Sequence, residues 1–401
     1  MRVAMVTHTF SRTDGQGRVN LEVARHLAEA GHEVTLISTA VDPPLAALPG
    51  VAWRAVPIPS WLRGALFRYQ VFALGARRAI RREPSGFDIV HLNGFIAYHP
   101  ADVNASHFVH ADWLKSPHHV SRVARGADAA YQWSVTVLNV GWERRAYRVA
   151  RRVVAVSEAV RDSLADDVGI DTAKIEVIPN GVDTAEFRPL APGETNALRA
   201  ELGLSGGTFV AFFAGDIRTN RKNLDLALHS VGRLGPGFHL AVAGGAAGSP
   251  YPAMARDLKI ADRVHFLGHR ADVPALLRGA NALAFASHYD PYALVIPEAM
   301  ASGVPVVTAP SVGASSLIRQ GENGFVLRDS SDLEGMTAAL QHLAADPSSA
   351  ARIGAAGRAL AETLSWGAMA RRYEALYQEV LAEKHRAARG RRLRDVRGAE
   401  G

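Results

Sequence analysis

Two carboxylates with seven residues between them, Asp290 and Glu298, are the first side chains whose types and spacing suggest chemistry. A carboxylate accepts hydrogen bonds from two vicinal hydroxyl groups, so this pair could hold a ribose and a second sugar together. Pro297 favours a helix start beside Glu298, where the helix dipole stabilises a carboxylate, and Gly303 can end that helix. The structural alternative is that Glu298 only caps its helix and Asp290 only forms a turn.

The elements that must position these groups begin with a βαβ unit at the amino terminus. Residues 1–7 and 33–38 are predicted strands, and apolar residues recur with helical spacing over 20–30. Gly15 and Gly17 lie in the loop that joins the first strand to this helix. Such units build parallel sheets whose ligands bind at the carboxyl ends of the strands. Further strands of the same sheet are predicted at 88–92 and 152–156.

A cluster of turn residues at 179–193 predicts a linker, and a second α/β series follows it. Its predicted strands are 208–213, 239–243, 264–267, 282–286 and 304–308, and its predicted helices are 223–231 and 331–345. The sequence therefore predicts an α/β protein with two doubly wound domains, 1–187 and 188–365. A long amphipathic helix is predicted from Trp366, over 366–383, and the basic residues 384–401 are predicted to form a disordered tail.

Composition excludes several classes of protein. The chain of 401 residues has no cysteine, which excludes disulfides, thiolate metal sites and a cysteine nucleophile. No apolar run reaches the roughly 18 residues that a bilayer span needs, and the first ten residues do not resemble a signal peptide, so we expect a cytoplasmic protein. Net charge is +6, and most of it lies in the tail, which is weak evidence for nucleic-acid binding. No nucleic-acid partner is expected.

An arginine-rich segment, 61–82, has two interpretations. Leu66, Ala73, Ala76 and Ile80 fall on one helical face, and the same stretch carries six arginines and no acid. A helix of this kind could lie on an anionic membrane surface, at the inner face of the plasma membrane. It could equally be an ordinary amphipathic helix packed on its own domain. The basic tail has the same two explanations, a solvated segment or a contact with anionic lipid.

The segment 287–305 resembles the carboxylate–seven residues–carboxylate motif of family 4 retaining glycosyltransferases, which have the GT-B fold. Asp290 and Glu298 occupy the two carboxylate positions, and the residues from Glu298 onward match the family pattern in full. Other stretches that match in order and spacing are 31–34, 156–158, 177–183, 221–223 and 365–366. The resemblance implies two Rossmann-like domains that face a central cleft, the first binding the acceptor and the second a nucleotide-sugar. The carboxyl-terminal helix would cross back to the first domain.

Three residues receive roles from this resemblance. Glu298 would bind the ribose hydroxyls, and Asp290 would face the transferred sugar. Lys222 would neutralise the diphosphate, whose charge grows as it leaves. The family usually has glutamate where this chain has Asp290, and the shorter side chain puts donor choice or geometry in doubt.

The same resemblance assigns Leu294 and Val295 to the donor site. The loop Gly15–Gly17 would bring backbone amides close to phosphate or sugar, although a plain turn would also explain these glycines. The family usually places an arginine at the position of Asp216, and an acid there would repel a diphosphate. Arg218, two residues later, is expected to supply the missing cation.

Histidines are the other candidates. The segment 104–110 resembles the active-site histidine loop of the family, and His107 matches it better than His110. A histidine there would touch the donor sugar and the acceptor nucleophile. His91, at a predicted strand end, is a further candidate to line the cleft. A lone histidine with no such match would more often be structural.

The resemblance implies transfer of a hexose from a UDP- or GDP-linked sugar, with retention, to a glycan, a lipid-linked sugar or a small aglycone. No Asp-x-Asp motif occurs, so no metal or other cofactor is expected. The alternatives are a nucleotide-sugar epimerase of similar fold and a non-catalytic nucleotide-sugar-binding protein. A nicotinamide dehydrogenase is disfavoured because Gly15-Gln-Gly17 lacks the third glycine of that fingerprint.

Overall fold

The computed structural model describes residues 1–62, 64–123 and 125–399, and within them the chain forms two α/β domains. The first domain has the strands β1 Arg2–Val6, β2 Thr9–Phe10, β3 Glu33–Ser38, β4 Ala40–Val41, β5 Val51–Ala55, β6 Ile89–Asn93, β7 Val103–Ser106, β8 Arg152–Ala155 and β9 Ile175–Val177. The second has β10 Phe209–Ala214, β11 Phe238–Ala243, β12 Val264–Gly268, β13 Ala282–Phe285, β14 Val306–Thr308 and β15 Phe325–Val326.

Helices connect these strands. They are α1 Gly15–Glu29, α2 Pro43–Ala46, α3 Ala65–Arg81, α4 His110–Lys115, α5 Val120–Val123, α6 Gly126–Val149, α7 Glu158–Ser163, α8 Ala197–Leu202, α9 Leu224–Arg233, α10 Tyr251–Asp257, α11 Val273–Leu277, α12 Val295–Ala301, α13 Leu333–Ala345, α14 Pro347–Ala361 and α15 Trp366–Ala399. Single turns of 3₁₀ or π helix lie at Leu164–Val168, Thr172–Lys174, Asn220–Lys222 and Gly313–Leu317.

Both main sheets are parallel and doubly wound. The first has the order β5-β3-β1-β6-β7-β8-β9, and the second has the order β12-β11-β10-β13-β14-β15. Strand order therefore reverses between β1 and β6 and between β10 and β13, which is where ligands bind in such sheets. Strands covered by helices on both faces are apolar throughout, as in the run Phe209–Phe213, which is buried. The two Rossmann-like domains are thus confirmed.

The carboxyl-terminal helix α15 packs on the first domain. Its residues Met369, Tyr373, Tyr377 and Val380 belong to the same buried cluster as the strands around β1. The Glu374 carboxylate of this helix accepts hydrogen bonds from the rings of two first-domain histidines, His26 at 2.8 Å and His32 at 2.9 Å. The helix continues to Ala399, whereas a disordered tail was predicted after residue 383. Alanine, arginine and lysine are strong helix formers, and no proline interrupts this segment.

The two connections between the domains run side by side. The Val182 amide donates to the Leu364 carbonyl at 2.8 Å, and Val182 forms a bridge with Ser365. A Cβ atom at Gly181 would lie 2.6 Å from the Cα of Trp366, so only glycine allows this close approach. The linker is therefore held against the start of α15. We call this contact, formed by residues 181–182 and 364–366, the interdomain crossing.

Helix α3 packs on its domain through Phe72, Ala73, Ala76 and Ile80, which are buried. This agrees with the interpretation of segment 61–82 as an ordinary amphipathic helix. Its outer side nevertheless exposes the large apolar residues Phe67, Val71 and Leu74 among arginines, and Trp61, just before the helix, is exposed as well. In the part of the chain that is described, no helix is both long and apolar enough to cross a bilayer.

Candidate active site

Loops at the carboxyl ends of the two sheets meet in a cleft between the domains. The phenol of Tyr289, in the loop after β13, donates to the Val109 carbonyl at 3.2 Å and accepts from the Val109 amide at 3.1 Å. Tyr289 also packs against the rings of Phe108 and Trp113. The second domain thus presents segment 287–298 directly to the histidine loop of the first.

Lys222 and Asp290 form an ion pair in this cleft. The Lys222 ammonium lies 5.4 Å from the centre of the Phe285 ring, and its methylenes pack over Gly215, where a Cβ would sit 3.4 Å from Cγ. Both side chains are largely enclosed, with 17% of the lysine and 9% of the aspartate exposed. Asp290, Lys222 and His107 are the three residues predicted to contact the reacting groups. The structure therefore brings the first two of them together.

Backbone contacts fix the position of Asp290. Its amide donates to the Ser311 carbonyl at 3.2 Å, and its carbonyl accepts from the Gly313 amide at 2.8 Å. Its Oδ1 atom accepts from the Tyr292 amide at 3.2 Å. The short side chain thus has one oxygen on the backbone and the other on Lys222.

Glu298 lies in the first turn of α12, as predicted. Its carboxylate makes no hydrogen bond or ion pair to any described residue, so its oxygens are free to accept from a ligand. Burial raises the pKa of Glu298 to about 7, with a further upward contribution from Glu186 and an opposing one from Arg18. Arg18 belongs to α1 of the first domain and was not predicted as a site residue, although it directly follows Gly17.

Leu294 and Val295 form the start of α12, after Ala293 in a left-handed conformation with φ of 65°. Gly15 and Gly17 lie in the first turn of α1 and not in the predicted loop. A Cβ at Gly15 would lie 3.7 Å from Leu294, so the start of α1 faces the start of α12 across the cleft. Gly17 has a structural reason of its own: its amide donates to Asp14 at 2.6 Å. A Cβ there would lie 2.3 Å from the Asp14 carboxylate.

Arg218 does not join the Lys222–Asp290 pair. Its guanidinium binds Asp216 through two hydrogen bonds of 2.9 Å, and 68% of its side chain is exposed. This contact lowers the pKa of Asp216 to about 2. Asp216, which stands where the family usually has an arginine, thus also binds Arg218, the residue predicted to replace that arginine. Arg221, beside Lys222, donates to the Tyr289 carbonyl at 3.2 Å and is half-buried.

A cavity of 160 Å³ lies in the first domain beside the histidine loop. We call it the acceptor-side cavity; its polar lining residues are His8, Gln16, Asn93, His107, His110, Asn139 and Glu143. The Nε2 atom of His107 is buried without a partner among the described residues, and burial lowers its pKa to about 4. His107 is therefore neutral at physiological pH, and it can accept or donate one hydrogen bond there.

His110 is paired with a buried carboxylate in the same cavity. Its Nδ1 lies 2.7 Å from Glu143, and its amide donates to the other Glu143 oxygen at 3.1 Å. Asn139 lies 3.3 Å from its Nε2. Glu143 was missed by the sequence reasoning, because one acid in a long helix gives no sign of pointing inward.

His91 does not line this cavity, so its predicted place in the cleft is corrected. It is buried against α15, where its Nδ1 bonds the Tyr377 hydroxyl and its ring stacks on Tyr373 at 5.6 Å. Burial, with His107 nearby, lowers its pKa to about 3. The contacts of His91 are therefore made by α15, in which Tyr377 lies 286 positions further along the chain. Across the described residues, no group of three or more His, Asp or Glu could hold a metal ion.

Comparisons with known proteins agree with this geometry. Residues 13–186 match the model of Glycosyltransferase Family 4, and residues 194–360 match that of Glycosyl transferases group 1. The D-inositol 3-phosphate glycosyltransferase of Mycobacterium avium is 31% identical over 394 residues, which cover 92% of this chain and 90% of that protein. The enzyme of the same name from Mycobacterium marinum is 31% identical over 94% of this chain and 83% of that protein.

Solved structures share the fold at lower identity. Sucrose-phosphate synthase from Thermosynechococcus elongatus superposes with a TM-score of 0.78 at 20% identity, covering 95% of this chain and 99% of that one. HepE of Anabaena, in complex with UDP and glucose, has a TM-score of 0.70 at 21% identity, covering 93% and 98%. The chain therefore belongs to glycosyltransferase family 4, and it is a glycosyltransferase with the GT-B fold.

Proposed function

We propose that the protein transfers a hexose-type sugar from a nucleoside-diphosphate sugar to an acceptor hydroxyl, with retention of anomeric configuration. The observation that carries the proposal is the contact of Tyr289 with Val109 in the histidine loop, which places the Lys222–Asp290 pair beside the loop that holds His107. Glu298 follows on α12, with no partner among the described residues. This set offers an anchor for ribose, a cation for diphosphate, and two polar groups for the sugar.

On the donor side, Glu298 accepts the ribose hydroxyls, since its carboxylate has no competing partner among the described residues. The start of α1 lies against the start of α12, since a Cβ at Gly15 would lie 3.7 Å from Leu294, and the backbone amides of these two helix starts are the groups that would bind the diphosphate. A UDP-linked donor is the first choice, because HepE has been solved with UDP and with UDP-glucose. A GDP-linked donor is the second.

In the reaction, Lys222 leaves Asp290 and stabilises the departing diphosphate, and no metal ion is required. Asp290 then accepts hydrogen bonds from the transferred sugar. His107, which is neutral, holds a sugar hydroxyl near the anomeric carbon. The leaving diphosphate takes the proton of the acceptor hydroxyl on the same face, so positioning and charge stabilisation supply the catalysis. Domain closure excludes water.

On the acceptor side, the polar head of the acceptor enters the acceptor-side cavity, where His110 and Glu143 hold its hydroxyls. The relatives are named for D-inositol 3-phosphate. The described lining of this cavity contains a carboxylate and neither lysine nor arginine, which favours an uncharged head. A glycan, a lipid-linked sugar or a small aglycone fits this requirement, in the synthesis of glycans, glycolipids or cell-envelope polysaccharide.

We also propose that the protein works in the cytoplasm and contacts the inner face of the plasma membrane through the outer side of α3. Phe67 and Leu74 of this helix are exposed by 64% and 55%, and Trp61, just before it, by 76%. Arginines of the same helix surround them and suit an anionic surface. Co-sedimentation with phosphatidylglycerol vesicles tests this, and Phe67→Ser with Leu74→Ser should weaken it while phosphatidylcholine vesicles bind neither form.

The main test is turnover of a panel of UDP- and GDP-sugars with glycan, glycolipid and cyclitol acceptors, including D-inositol 3-phosphate. Product NMR should show the anomeric configuration of the donor. Lys222→Ala and Glu298→Gln should lose activity, while Arg218→Ala, in the exposed arginine beside the cleft, should keep most of it. Isomerised nucleotide-sugar without acceptor would indicate an epimerase, and donor binding without any turnover would indicate a non-catalytic binding protein.

A further inference from the structure

A second cavity, of 320 Å³, lies on the outer side of the first domain between α3 and the carboxyl-terminal half of α6. We call it the outer groove. Its apolar walls are Phe95, Tyr98, Trp142, Ala146 and Val149, and its charged members are Arg77 and Arg145. It shares Phe95 with the acceptor-side cavity and contains none of the donor-side residues described above.

The floor of the outer groove is aromatic. Phe95 stacks on Trp142 with ring centres 5.3 Å apart, and Tyr98 meets the edge of Phe95 at 5.0 Å. Tyr98 and Val149 are exposed by 40% and 49%. Apolar surface left open in this way favours a ligand with an apolar or aromatic body, because covering it removes that surface from water.

The two arginines stand on different helices, Arg77 on α3 and Arg145 on α6. Neither makes an ion pair or a side-chain hydrogen bond to any residue that the structure describes. No acidic residue lines the groove. Guanidinium groups bind phosphate through paired hydrogen bonds, so two of them beside an apolar floor fit an amphiphile that carries a phosphate.

Phe95 connects the groove to the cleft, because it lines both the outer groove and the acceptor-side cavity. The two cavities therefore adjoin at Phe95, and the part of a molecule that extends out of the acceptor-side cavity beside Phe95 would meet the outer groove. We propose that the outer groove binds the non-reacting end of the acceptor, an apolar group joined to the head through a phosphate. The identity of the head rests on the proposed function, but binding in the groove does not.

This assignment explains where the charge of the acceptor would be held. The acceptor-side cavity offers Glu143 and no described cation, so a phosphate is unwelcome there and favoured in the groove. The substrate class is then an amphiphilic acceptor with an uncharged sugar or polyol head, a phosphate and an apolar tail.

Isothermal titration of the full chain with octyl phosphate, below its micelle concentration and without nucleotide, tests the proposal. Octyl phosphate should bind at least roughly tenfold tighter than octyl glucoside or inorganic phosphate. Only octyl phosphate can contact the apolar walls and the two arginines at the same time. Arg145→Ala and Trp142→Ala should each weaken binding by roughly tenfold. Arg148→Ala, an exposed arginine of the same helix outside the groove, should leave it unchanged.

Equal affinities for octyl phosphate and octyl glucoside would overturn the proposal. It would also fail if Arg145→Ala weakened binding to phosphatidylglycerol vesicles but not to octyl phosphate, since the arginine would then serve a membrane surface. Trp142→Phe, which keeps the stack on Phe95, should retain binding and guards against misfolding of the alanine variant. Stabilisation by UDP, measured separately on every variant, reports on the proposed function, so failure of one proposal is distinguishable from failure of the other.

Discussion

His118 of the first domain stacks flat on His288 of the second, with ring centres 3.4 Å apart and ring planes within 3°. The Nδ1 atom of His288 lies 2.9 Å from the Ser330 hydroxyl. Burial lowers the pKa of both rings, that of His288 to about 4, with Asp225 opposing the shift in each case. Two neutral rings can stack in this way, whereas two cations would repel, so the contact between the domains depends on protonation.

We expect the closed arrangement to weaken in acid. A histidine whose pKa is lowered by the contact binds a proton more readily when the domains separate, so the stability of the contact is full above pH 6.5. It is lost as pH falls from there toward 4. Small-angle scattering of the wild type should show expansion over this range. His118→Phe keeps a stacked ring that cannot titrate and should expand less. Equal expansion of both proteins would contradict the role of this stack.

Glu298→Gln should weaken donor binding while stabilising the fold at alkaline pH. The pKa of Glu298 is raised to about 7, so the ionised form that ribose hydroxyls prefer is populated only above that value. Affinity of the wild type for UDP-glucose should therefore rise through pH 7, and that of the glutamine variant should stay flat. Removing a hydrogen bond to a charged group should cost about 1.5–3 kcal/mol of binding at pH 8.

The stability effect of the same substitution has the opposite sign. A carboxyl whose folded-state pKa is raised stabilises the fold least when it is ionised, so the melting temperature of Glu298→Gln should exceed that of the wild type at pH 8. The difference should shrink as pH falls through 7 toward 4.5. A glutamine variant that is less stable at pH 8 would mean that Glu298 has a protein partner.

Lys222→Ala should reduce kcat by about 10²–10³, or about 2.7–4 kcal/mol, if the ammonium stabilises the leaving diphosphate. Asp290→Asn should reduce it less, since the amide still accepts hydrogen bonds. Because the two side chains are paired, the double variant should lose less than the sum of the single losses in free energy. A double-mutant cycle of kcat checks this. Strict additivity would show that the pair does not act as one unit.

Glu143→Gln should raise KM for the acceptor by roughly tenfold or more and leave donor affinity unchanged, since the charge-assisted bond to His110 is lost. Initial rates at varied acceptor concentration, with calorimetry for the donor, separate the two effects. Glu158→Gln offers a matched control, because that carboxylate is exposed on α7. A change in donor affinity with constant acceptor KM would show that Glu143 acts on the donor and not on the acceptor.

The sequence was sufficient for nine of the thirteen strands of the two main sheets, whereas β5, β7, β9 and β15 were not predicted. Buried parallel strands are rich in apolar residues, so these strands can be recognised in the sequence. Asp290 and Lys222 lie in the loops after β13 and β10, whose carboxyl ends the fold brings together. Glu143 could not be found, because the buried face of α6 consists of Thr136, Asn139, Glu143 and Tyr147. Three of these are polar or charged, so the helix shows no apolar stripe to reveal which face is inward.

Competition between partners accounts for the other differences. Arg218 could not be placed from spacing, because spacing alone does not show that the neighbouring Asp216 binds its guanidinium. His91 lies in the middle of β6 and not at the predicted strand end, and its surroundings come from Tyr373 and Tyr377 at the far end of the chain. Such contacts depend on long-range packing, which local periodicity does not contain.

The interdomain crossing has a mechanical consequence. Residues 181–182 and 364–366 are bonded to each other, so the two covalent connections cannot stretch independently. We infer that they act as one pivot, about which the second domain turns while sliding is opposed. A Cβ at Gly181 would collide with Trp366 and push the two connections apart. The pivot, and with it the axis about which the cleft would open and close, therefore depends on this one glycine.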